Sequence, residues 1–177
     1  MALFLMTPIY VLFPYLCSME LSIFTDDYFM KEALKEAQKA FDEDEVPVGA
    51  VIVCNKQIIA RAHNMTEKLK DATAHAEMLA ITAAENFLGS KYLKDCTLYV
   101  SLEPCVMCAG ATYWTQLSRI VYGASDDRHG HKKSGNKLLH PKTELVGGLM
   151  EKESSELLKK FFQKKRQTSA KLQHDKQ

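Results

Sequence analysis

The sequence lacks a strong net charge of either sign. Its 177 residues include 23 Lys or Arg and 22 Asp or Glu, which gives a formal net charge of +1. This balance excludes a protein that binds nucleic acid through a uniformly basic surface. With 46% apolar and 25% charged residues, the chain also differs from disordered, collagen-like and disulfide-scaffold proteins. Its length and composition predict a single folded domain.

The sequence also lacks a cysteine framework. It has five cysteines, an odd number without the regular spacing of a disulfide-rich protein. We therefore expect free thiols, a reducing compartment and a cytoplasmic location. Cys54 and Cys96 lie in or beside predicted strands, where we expect them to pack as small buried apolar side chains.

The start of the chain lacks the pattern of a membrane span or an export signal. Its apolar run is shorter than the roughly 20 residues that a spanning helix needs, and Pro8 and Pro14 interrupt it. No Lys or Arg precedes Lys31, so the basic region of a secretory signal is missing as well. Since Met19 offers an alternative start, we expect residues 1–18 to be a disordered extension or a wrongly assigned gene start.

Basic residues are concentrated at the C-terminal end. From Lys159 onward there are seven Lys or Arg and one Asp, so the preceding part of the chain is net acidic. Such a stretch can bind phosphate, but it is also typical of a solvated helix end. We expect one domain over residues 19–166, followed by a basic tail over residues 167–177.

The hydrophobic pattern predicts a domain of helices and strands. Apolar residues at one-face spacing predict a first helix with Thr25 as its N-cap. Two β-branched runs joined by Asn55 and Lys56 predict a hairpin. The predicted helices cover residues 26–42, 74–87, 106–116 and 151–173, and the predicted strands cover residues 48–54, 57–63, 97–102, 119–124 and 143–148. A hairpin followed by strands that alternate with helices favours a three-layer α/β/α domain with a five-stranded mixed sheet.

Two short motifs contain residues that bind metals. HAE at residues 75–77 begins the second long helix, and PCVMC at residues 104–108 lies where the third strand turns into the next helix. Cys105 and Cys108 can lie on one face of the first helical turn, where the helix dipole favours thiolates over thiols. One imidazole and two thiolates are ligands that zinc prefers.

The number of ligands indicates a catalytic site. Three protein ligands leave a fourth position for a water molecule, whose pKa the metal lowers towards about 7. Glu77 is then available to take the proton of that water and to pass it to a departing nitrogen. The alternative is a structural zinc site that is completed by Cys54 or Cys96.

A long irregular segment follows the fourth predicted strand. Residues 126–140 are rich in Gly, His and Lys. Its histidines, His129, His131 and His140, lack ligand spacing to the two motifs. We expect them to be exposed to solvent or to contact the substrate, and not to bind a second metal ion.

The two motifs together form the H-x-E and P-C-x-x-C signature of zinc-dependent nucleobase deaminases. Further segments resemble one family of these enzymes, the bacterial tRNA-specific adenosine deaminases. The matching segments are EVPVGAV at 45–51, Asn64, TAHAEM at 73–78, LYVSLEPCVMCAGA at 98–111, VYGASD at 121–126 and KKFFQKKR at 159–166. The resemblance covers roughly residues 25–166. It implies a cytidine-deaminase-like fold, one zinc ion per chain, and a homodimer that acts on the anticodon loop of tRNA.

The resemblance also implies roles for single residues. The zinc ligands are His75, Cys105 and Cys108, and Glu77 is the catalytic acid and base. The residues implied in substrate binding are Asn64 at the purine edge, Val48, Glu103 and Pro104 around the pocket, Asp126 at the ribose, and Phe162 and Arg166 at the flanking nucleotides. Phe161 is expected in the core. The loop DDRHGHKKSG at residues 126–135 departs from the family in its histidine and lysine content, so the resemblance implies no contacts for its residues after Asp126.

The sequence therefore predicts hydrolytic deamination of the wobble adenosine of tRNA to inosine. The first alternative is a deaminase of a free base such as guanine or cytosine, but a free base has no backbone for the FFQKKR segment to contact. The second is a zinc-stabilised RNA-binding module without catalytic activity. Glu77 separates the enzymes from this module, because a structural zinc site has no use for a carboxylate beside the metal.

Overall fold

The structure, a computed structural model, describes residues 24–134 and 138–174. The helices are α1 (Asp26–Asp42), α2 (Thr66–Leu69), α3 (Ala76–Leu88), α4 (Val106–Trp114) and α5 (Glu151–His174). The strands are β1 (Gly49–Cys54), β2 (Gln57–His63), β3 (Cys96–Leu102), β4 (Arg119–Ala124) and β5 (Glu144–Gly147). The extension expected at residues 1–18 and the last residues of the expected basic tail, 175–177, lie outside the described residues.

The five strands form one mixed sheet in the order β2-β1-β3-β4-β5. Strand β1 is antiparallel to both β2 and β3, whereas β3, β4 and β5 run parallel to one another. In the turn between β1 and β2, Asn55 and Lys56 have positive φ values of 49° and 62°. Two successive residues with positive φ are typical of a tight hairpin turn. The predicted hairpin and five-stranded mixed sheet are confirmed.

Helix α1 covers one face of the sheet. The Thr25 hydroxyl caps its first turn by accepting a hydrogen bond from Tyr28 N at 3.2 Å. The helix lies very close to the start of β1, because a Cβ atom at Gly49 would be only 2.2 Å from Ala33 O. Only glycine fits at this position, and this close approach fixes α1 against β1. Helix α5 contacts α1 and the neighbouring strand β4.

Helices α3 and α4 cover the opposite face. The larger apolar core lies between these helices and the sheet and includes Ala76, Ala80, Ile81, Ala109 and Leu117. A second core lies under α1 and includes Phe29, Met30 and Ala33. Successive residues of β1 alternate between the two cores, with Ile52 in the first and Val51 in the second. The predicted three-layer arrangement is therefore confirmed.

The sheet brings the two sequence motifs to the same edge. Helix α4 follows directly on the C-terminal end of β3. Because β1 is antiparallel to β2 and β3, the start of β1 and the end of β2 lie at this edge as well. Residues before β1, after β2 and after β3 therefore surround one site.

Two element boundaries differ from the prediction by two residues and the others by at most one, and one short helix was not predicted. Helix α3 starts at Ala76 and not at residue 74, because His75 has extended backbone angles of φ −71° and ψ 151° and serves as the N-cap. Helix α4 ends at Trp114, since Gln116 has a positive φ of 54°. The four-residue helix α2 was not predicted, because one turn is too short to show a hydrophobic period.

Within the described residues, no helix has both the length and the apolar character of a membrane span.

Candidate active site

Two helix N-termini bring the predicted zinc ligands together. His75 is the N-cap residue of α3, and Cys105 is the N-cap residue of α4. Cys108 lies one turn into α4 and is buried. His75 Nδ1 is 3.7 Å from Cys105 Sγ and 3.6 Å from Cys108 Sγ, and the two sulfur atoms are 3.6 Å apart.

These distances fit a tetrahedral zinc ion. With Zn–S bonds of about 2.3 Å and Zn–N bonds of about 2.0 Å, the edges of a tetrahedron are about 3.5 to 3.8 Å long. All three distances between the ligand atoms fall in this range. In the described part of the chain, His75, Cys105 and Cys108 form the one group of three or more His, Cys, Asp or Glu placed to hold a metal ion. A donor set of one imidazole and two thiols therefore fits zinc with three protein ligands.

The structure does not supply the fourth cysteine ligand of the alternative structural site. Cys54 and Cys96 face each other across β1 and β3. Cys96 begins β3, whereas the ligand group follows its other end at Leu102, about 20 Å away for a strand of this length. As predicted, Cys96 is buried in the larger core and Cys54 packs against that core.

The two ligand thiols share a hydrogen bond that affects their pKa values. The bond with Cys108 is the main cause that lowers the pKa of Cys105 to about 4, and His75 contributes in the same direction. The same bond, together with burial, raises the pKa of Cys108. Of the two thiols, Cys105 is therefore the one that its surroundings favour as a thiolate. A bound zinc ion favours the second thiolate as well.

Glu77 lies beside the ligand group in the first turn of α3. It is 4% exposed and lines the same cavity as His75. Burial raises the pKa of Glu77 to about 6. Among the described residues, no Lys or Arg forms an ion pair with it. Its carboxyl group is therefore available to exchange protons with a bound molecule.

A cavity of about 710 Å³ opens next to the ligand group. It extends from the ligand atoms to the side of α5. Of the residues implied in zinc or substrate binding, the cavity is lined by Val48, Asn64, His75, Glu77, Glu103, Cys105, Asp126, Phe162 and Arg166. Pro104 is buried and is not among the lining residues; its carbonyl oxygen accepts a hydrogen bond from His131 N at 3.0 Å.

The side chain of Asn64 is held by residues that precede and follow it. Its Nδ2 donates to Glu45 Oε2 at 3.2 Å and to Thr66 Oγ1 at 3.1 Å. Glu45 is 1% exposed. No role was predicted for Glu45, although this residue begins the EVPVGAV segment. Its contact with Asn64, 19 positions away, depends on the fold and has no local sequence pattern.

Glu103 connects the irregular loop after β4 to the site. Its Oε2 accepts a hydrogen bond from Asp126 N and its Oε1 from Lys132 N, both at 3.2 Å. Since both carboxylate oxygens bind loop N–H groups, the side chain of Glu103 anchors this loop at the cavity. A Cβ atom at Gly130 would be 2.6 Å from Glu103 Oε1, so the loop needs glycine there.

The three histidines of the long segment have different surroundings. His131 is fully buried, with Nδ1 3.3 Å from both Glu103 Oε1 and the Pro104 carbonyl oxygen. The prediction that it is exposed or contacts the substrate is therefore wrong, because residues 131–134 form a 3₁₀ turn that packs on α4. His129 lines the cavity, and the His140 ring packs edge-on against Tyr113.

Helix α5 forms one wall of the cavity. Phe162 is 45% exposed and lines the cavity, whereas Phe161 is 2% exposed and packs edge-on against Phe41. Phe161 is therefore a core residue, as predicted. Lys165 Nζ binds Asp44 Oδ2 at 2.7 Å, which neutralises part of the basic charge of the helix. The helix continues past Arg166 to His174 without interruption.

The chain is similar to known deaminases in sequence. Residues 24–124 match the family model described as the cytidine and deoxycytidylate deaminase zinc-binding region. Over 144 residues, the chain is 47% identical to the tRNA-specific adenosine deaminase of Aquifex aeolicus (strain VF5), and the match covers 79% of this chain and 95% of that protein.

The fold is similar to solved structures of deaminases. One comes from studies of A-to-I editing by tRNA:A34 deaminases at the wobble position of transfer RNA; it has a TM-score of 0.70 and 42% identity, over 74% of this chain and 99% of that chain. Another is a guanine deaminase from Bacillus subtilis, with a TM-score of 0.56 and 38% identity, over 63% of this chain and 70% of that chain.

Proposed function

The chain belongs to the family of tRNA-specific adenosine deaminases, zinc-dependent hydrolases that convert the wobble adenosine of tRNA to inosine, and we propose that His75, Cys105 and Cys108 hold the zinc ion for this reaction. The observation that carries the assignment is the position of the ligand group. Its three atoms lie 3.6 to 3.7 Å apart at a cavity that also contains Glu77 and extends to α5.

Glu77 moves the protons in this proposal. When bound, zinc supplies the acidity that makes a water molecule nucleophilic near neutral pH. Glu77 takes a proton from the water as its oxygen bonds to C6 of adenine, and gives this proton to N1 of the ring. Glu77 then takes the proton of the new hydroxyl group and gives it to the amino nitrogen. The C6–N bond breaks, ammonia leaves, and C6 becomes the carbonyl carbon of inosine.

The cavity walls provide contacts to the rest of the nucleotide. Val48 and Glu103 enclose the base, and Asn64 hydrogen-bonds it. Pro104, which does not line the cavity, supports this wall from behind. Asp126, whose loop is anchored by Glu103, contacts the ribose. We assign the anticodon nucleotides next to the target to α5, where Phe162 provides an aromatic face for stacking and Arg166 provides a positive charge for phosphate.

Deamination of free guanine is the second candidate. It is supported by the structural similarity to a guanine deaminase with 38% identity. The cavity favours tRNA, because it continues from the ligand group along α5 past Leu158 and Lys159 to Arg166. A free base would leave these residues without a contact.

A homodimer through α4 is part of the proposal. The nine residues of this helix, VMCAGATYW, are all uncharged. Val106 and Trp114 lie on one face of the helix and are 47% and 77% exposed. Between them, a Cβ atom at Gly110 would meet nothing within 4 Å, so a second backbone can approach closely there. The Trp114→Lys variant should therefore sediment as a monomer, whereas an unchanged sedimentation coefficient would rule out this interface.

We also propose the limits and the location of the functional unit. The deaminase domain spans residues 19–166 and is followed by a basic tail over residues 167–177, and the protein works in the cytoplasm. The four cysteines in the described part of the chain are all free thiols, which is consistent with a reducing compartment. They are Cys54, Cys96, Cys105 and Cys108.

A substrate panel tests the proposed function. Purified zinc-loaded protein is incubated with tRNA transcripts that carry adenosine at the wobble position, with the same transcripts carrying guanosine there, and with free guanine and cytidine. Inosine, detected by nucleoside analysis, should form in the first set only, together with an equal amount of ammonia. Ammonia release from guanine but not from tRNA would favour the second candidate.

A further inference from the structure

Glu45 is buried without a positively charged partner. Its side chain accepts four hydrogen bonds: at Oε2 from Asn64 Nδ2 (3.2 Å), Thr66 Oγ1 (3.3 Å) and Glu67 N (3.2 Å), and at Oε1 from Lys68 N (2.7 Å). No Lys or Arg of the described chain forms an ion pair with it. A carboxylate in such a place is costly unless each oxygen is hydrogen-bonded, and here both are.

The amide nitrogen of Asn64 has no hydrogen left for a substrate. An Asn side chain has two N–H donors and one carbonyl acceptor. Both donors are used inside the protein, one by Glu45 and the other by Thr66. Among the described residues, no donor binds Asn64 Oδ1, and Asn64 lines the cavity. The carbonyl oxygen is therefore the polar atom that this side chain can offer to a bound nucleoside.

The charge of Glu45 determines this orientation. If the Asn64 amide rotated by half a turn, its carbonyl oxygen would face the Glu45 carboxylate at about the distance of a hydrogen bond. Two acceptors, one of them charged, repel each other at this distance in a buried site. The Thr66 hydroxyl adds to the effect, since it accepts from Asn64 and donates to Glu45.

We propose that Glu45 is a positioning residue for substrate recognition, because it locks the Asn64 amide with its carbonyl oxygen towards the nucleoside. This inference rests on the proposed function. Atoms N1, N3 and N7 of adenine are acceptors, so Asn64 does not bond them. The partner of Asn64 is a hydrogen-bond donor, either the exocyclic amino group or the ribose 2′-hydroxyl. Asn64 is expected to bond the purine edge, and on that edge only the exocyclic amino group fits this orientation of its amide. The ribose 2′-hydroxyl is the alternative partner outside the purine.

A reciprocal pair of variants tests the lock. In Glu45→Gln, the amide at position 64 is no longer held in one orientation, and kcat/KM for tRNA should fall about 10- to 100-fold. Asn64→Asp should be equally impaired, because it places two carboxylates in contact. The double variant exchanges donor and acceptor between the two positions, so the amide of the introduced glutamine donates to the introduced carboxylate, although this amide then faces Glu67 N and no longer accepts its hydrogen bond. It should recover part of the activity and exceed both single variants, since the second oxygen of that carboxylate still accepts from the substrate.

The matched control is Glu43→Gln. Glu43 lies two residues from Glu45, but its carboxylate binds Lys68 Nζ and lies near His63, and it does not contact Asn64. This variant should retain wild-type kcat/KM. If Glu45 only supports the chain around α2, the double variant should be as impaired as Glu45→Gln, and Asn64→Asp should be close to wild type. That pattern would overturn the proposal.

An NMR measurement examines the lock without turnover. In the wild-type protein labelled with ¹⁵N-asparagine, the Asn64 side-chain amide should exchange slowly with solvent, and its two protons should shift in Glu45→Gln but not in Glu43→Gln. A rapidly exchanging amide that is insensitive to position 45 would refute the lock even in an active enzyme. A locked amide in a protein that does not deaminate tRNA would refute only the proposed function.

The donor group is identified by a second substrate. An anticodon stem-loop with 2′-deoxyadenosine at the wobble position lacks the 2′-hydroxyl, which is the one free ribose hydroxyl of that nucleotide. If the 2′-hydroxyl is the donor, Asn64→Ala should lower kcat/KM for the ribose substrate and have little further effect on the deoxy substrate. An equal loss on both substrates would assign the exocyclic amino group. No loss on either substrate would overturn the proposal.

Discussion

Glu103 Oε2 accepts a hydrogen bond from Asp126 N at 3.2 Å, and this contact joins the end of β3 to the loop after β4. The other carboxylate oxygen accepts from Lys132 N. A single buried side chain thus determines where the loop lies against the cavity. The position of Asp126 at the cavity therefore depends on a residue whose own carboxylate is used within the protein.

The Glu103→Gln variant should therefore impair substrate binding. A glutamine keeps one acceptor, so one of the two loop N–H groups loses its partner, at a cost of about 1 to 3 kcal/mol. We expect a raised KM for tRNA and a lower melting temperature, with zinc content unchanged. The exposed Glu153→Gln serves as the control. An unchanged KM in a Glu103→Gln protein with a lowered melting temperature would show that the loop does not hold the substrate.

Removal of the Glu77 carboxylate should separate catalysis from metal binding. Glu77→Gln keeps the size of the side chain but cannot accept and return a proton, so turnover should fall by at least about 100-fold. Metal analysis should still find about one zinc ion per chain, because the ligand group consists of His75, Cys105 and Cys108. Joint loss of zinc and activity would instead identify Glu77 as a ligand.

The four described cysteines should fall into two classes. Cys105→Ser and Cys108→Ser should lose zinc, since both sulfur atoms belong to the ligand group. Cys54→Ala and Cys96→Ala should retain zinc, because these residues face each other at the other end of β1 and β3. The buried Cys96→Ala should cost about 1 kcal/mol of unfolding free energy. Zinc loss in either alanine variant would support a four-ligand structural site.

An ion pair far from the cavity predicts a pH-dependent contribution to stability. Asp26 binds Arg119 through two hydrogen bonds of 2.8 and 2.7 Å and accepts another from the Tyr99 hydroxyl at 2.6 Å. The bond to Arg119 is the main cause that lowers the pKa of Asp26 from its ordinary value of 3.8. A lowered pKa in the folded state stabilises the protein above the pKa of the unfolded state, and this stabilisation is lost as the pH falls through the folded-state pKa.

The Asp26→Asn variant should accordingly be less stable than the wild type at pH 7, by about 1 to 2 kcal/mol for a partly exposed group. The difference should persist down to about pH 5 and shrink below about pH 4. Urea unfolding between pH 3 and pH 7 measures it. A difference that is the same at pH 3 and pH 7 would exclude the charge of Asp26 as its cause.

The parts of the site that the sequence predicted are local in the chain. The zinc ligands lie at two helix starts, and the spacing of Cys105 and Cys108 requires only one helical turn. The identity of the ligands and of Glu77 could therefore be predicted without the fold. The mixed sheet and its three layers could be predicted from a hairpin followed by strands that alternate with helices. The order of the strands was not predicted.

The parts that the sequence did not predict depend on contacts between distant segments. Glu45 reaches Asn64 across 19 positions, and His131 is buried because its turn packs against α4. A histidine in a polar stretch has no pattern that indicates burial, since the hydrophobic period reports only regular elements. The burial of His131 and the hydrogen bonds of Glu103 both depend on how the loop after β4 packs against the end of β3.

The role of α5 decides the substrate class and gives the last prediction. Phe162 and Arg166 line the cavity beyond the ligand group, and base stacking is worth about 1 to 3 kcal/mol per base. The double variant Phe162→Ala, Arg166→Ala should therefore lower kcat/KM for tRNA by at least about 10-fold. The salt dependence of tRNA binding should also weaken, because one phosphate contact is lost.

Lys171→Ala, at an exposed cation farther along the same helix, should change neither quantity as strongly. Point variants are preferable to truncation, since Phe161 on the same helix is a core residue. If the folded double variant keeps wild-type kinetics on tRNA, α5 does not contact the RNA, and a free purine base becomes the favoured substrate.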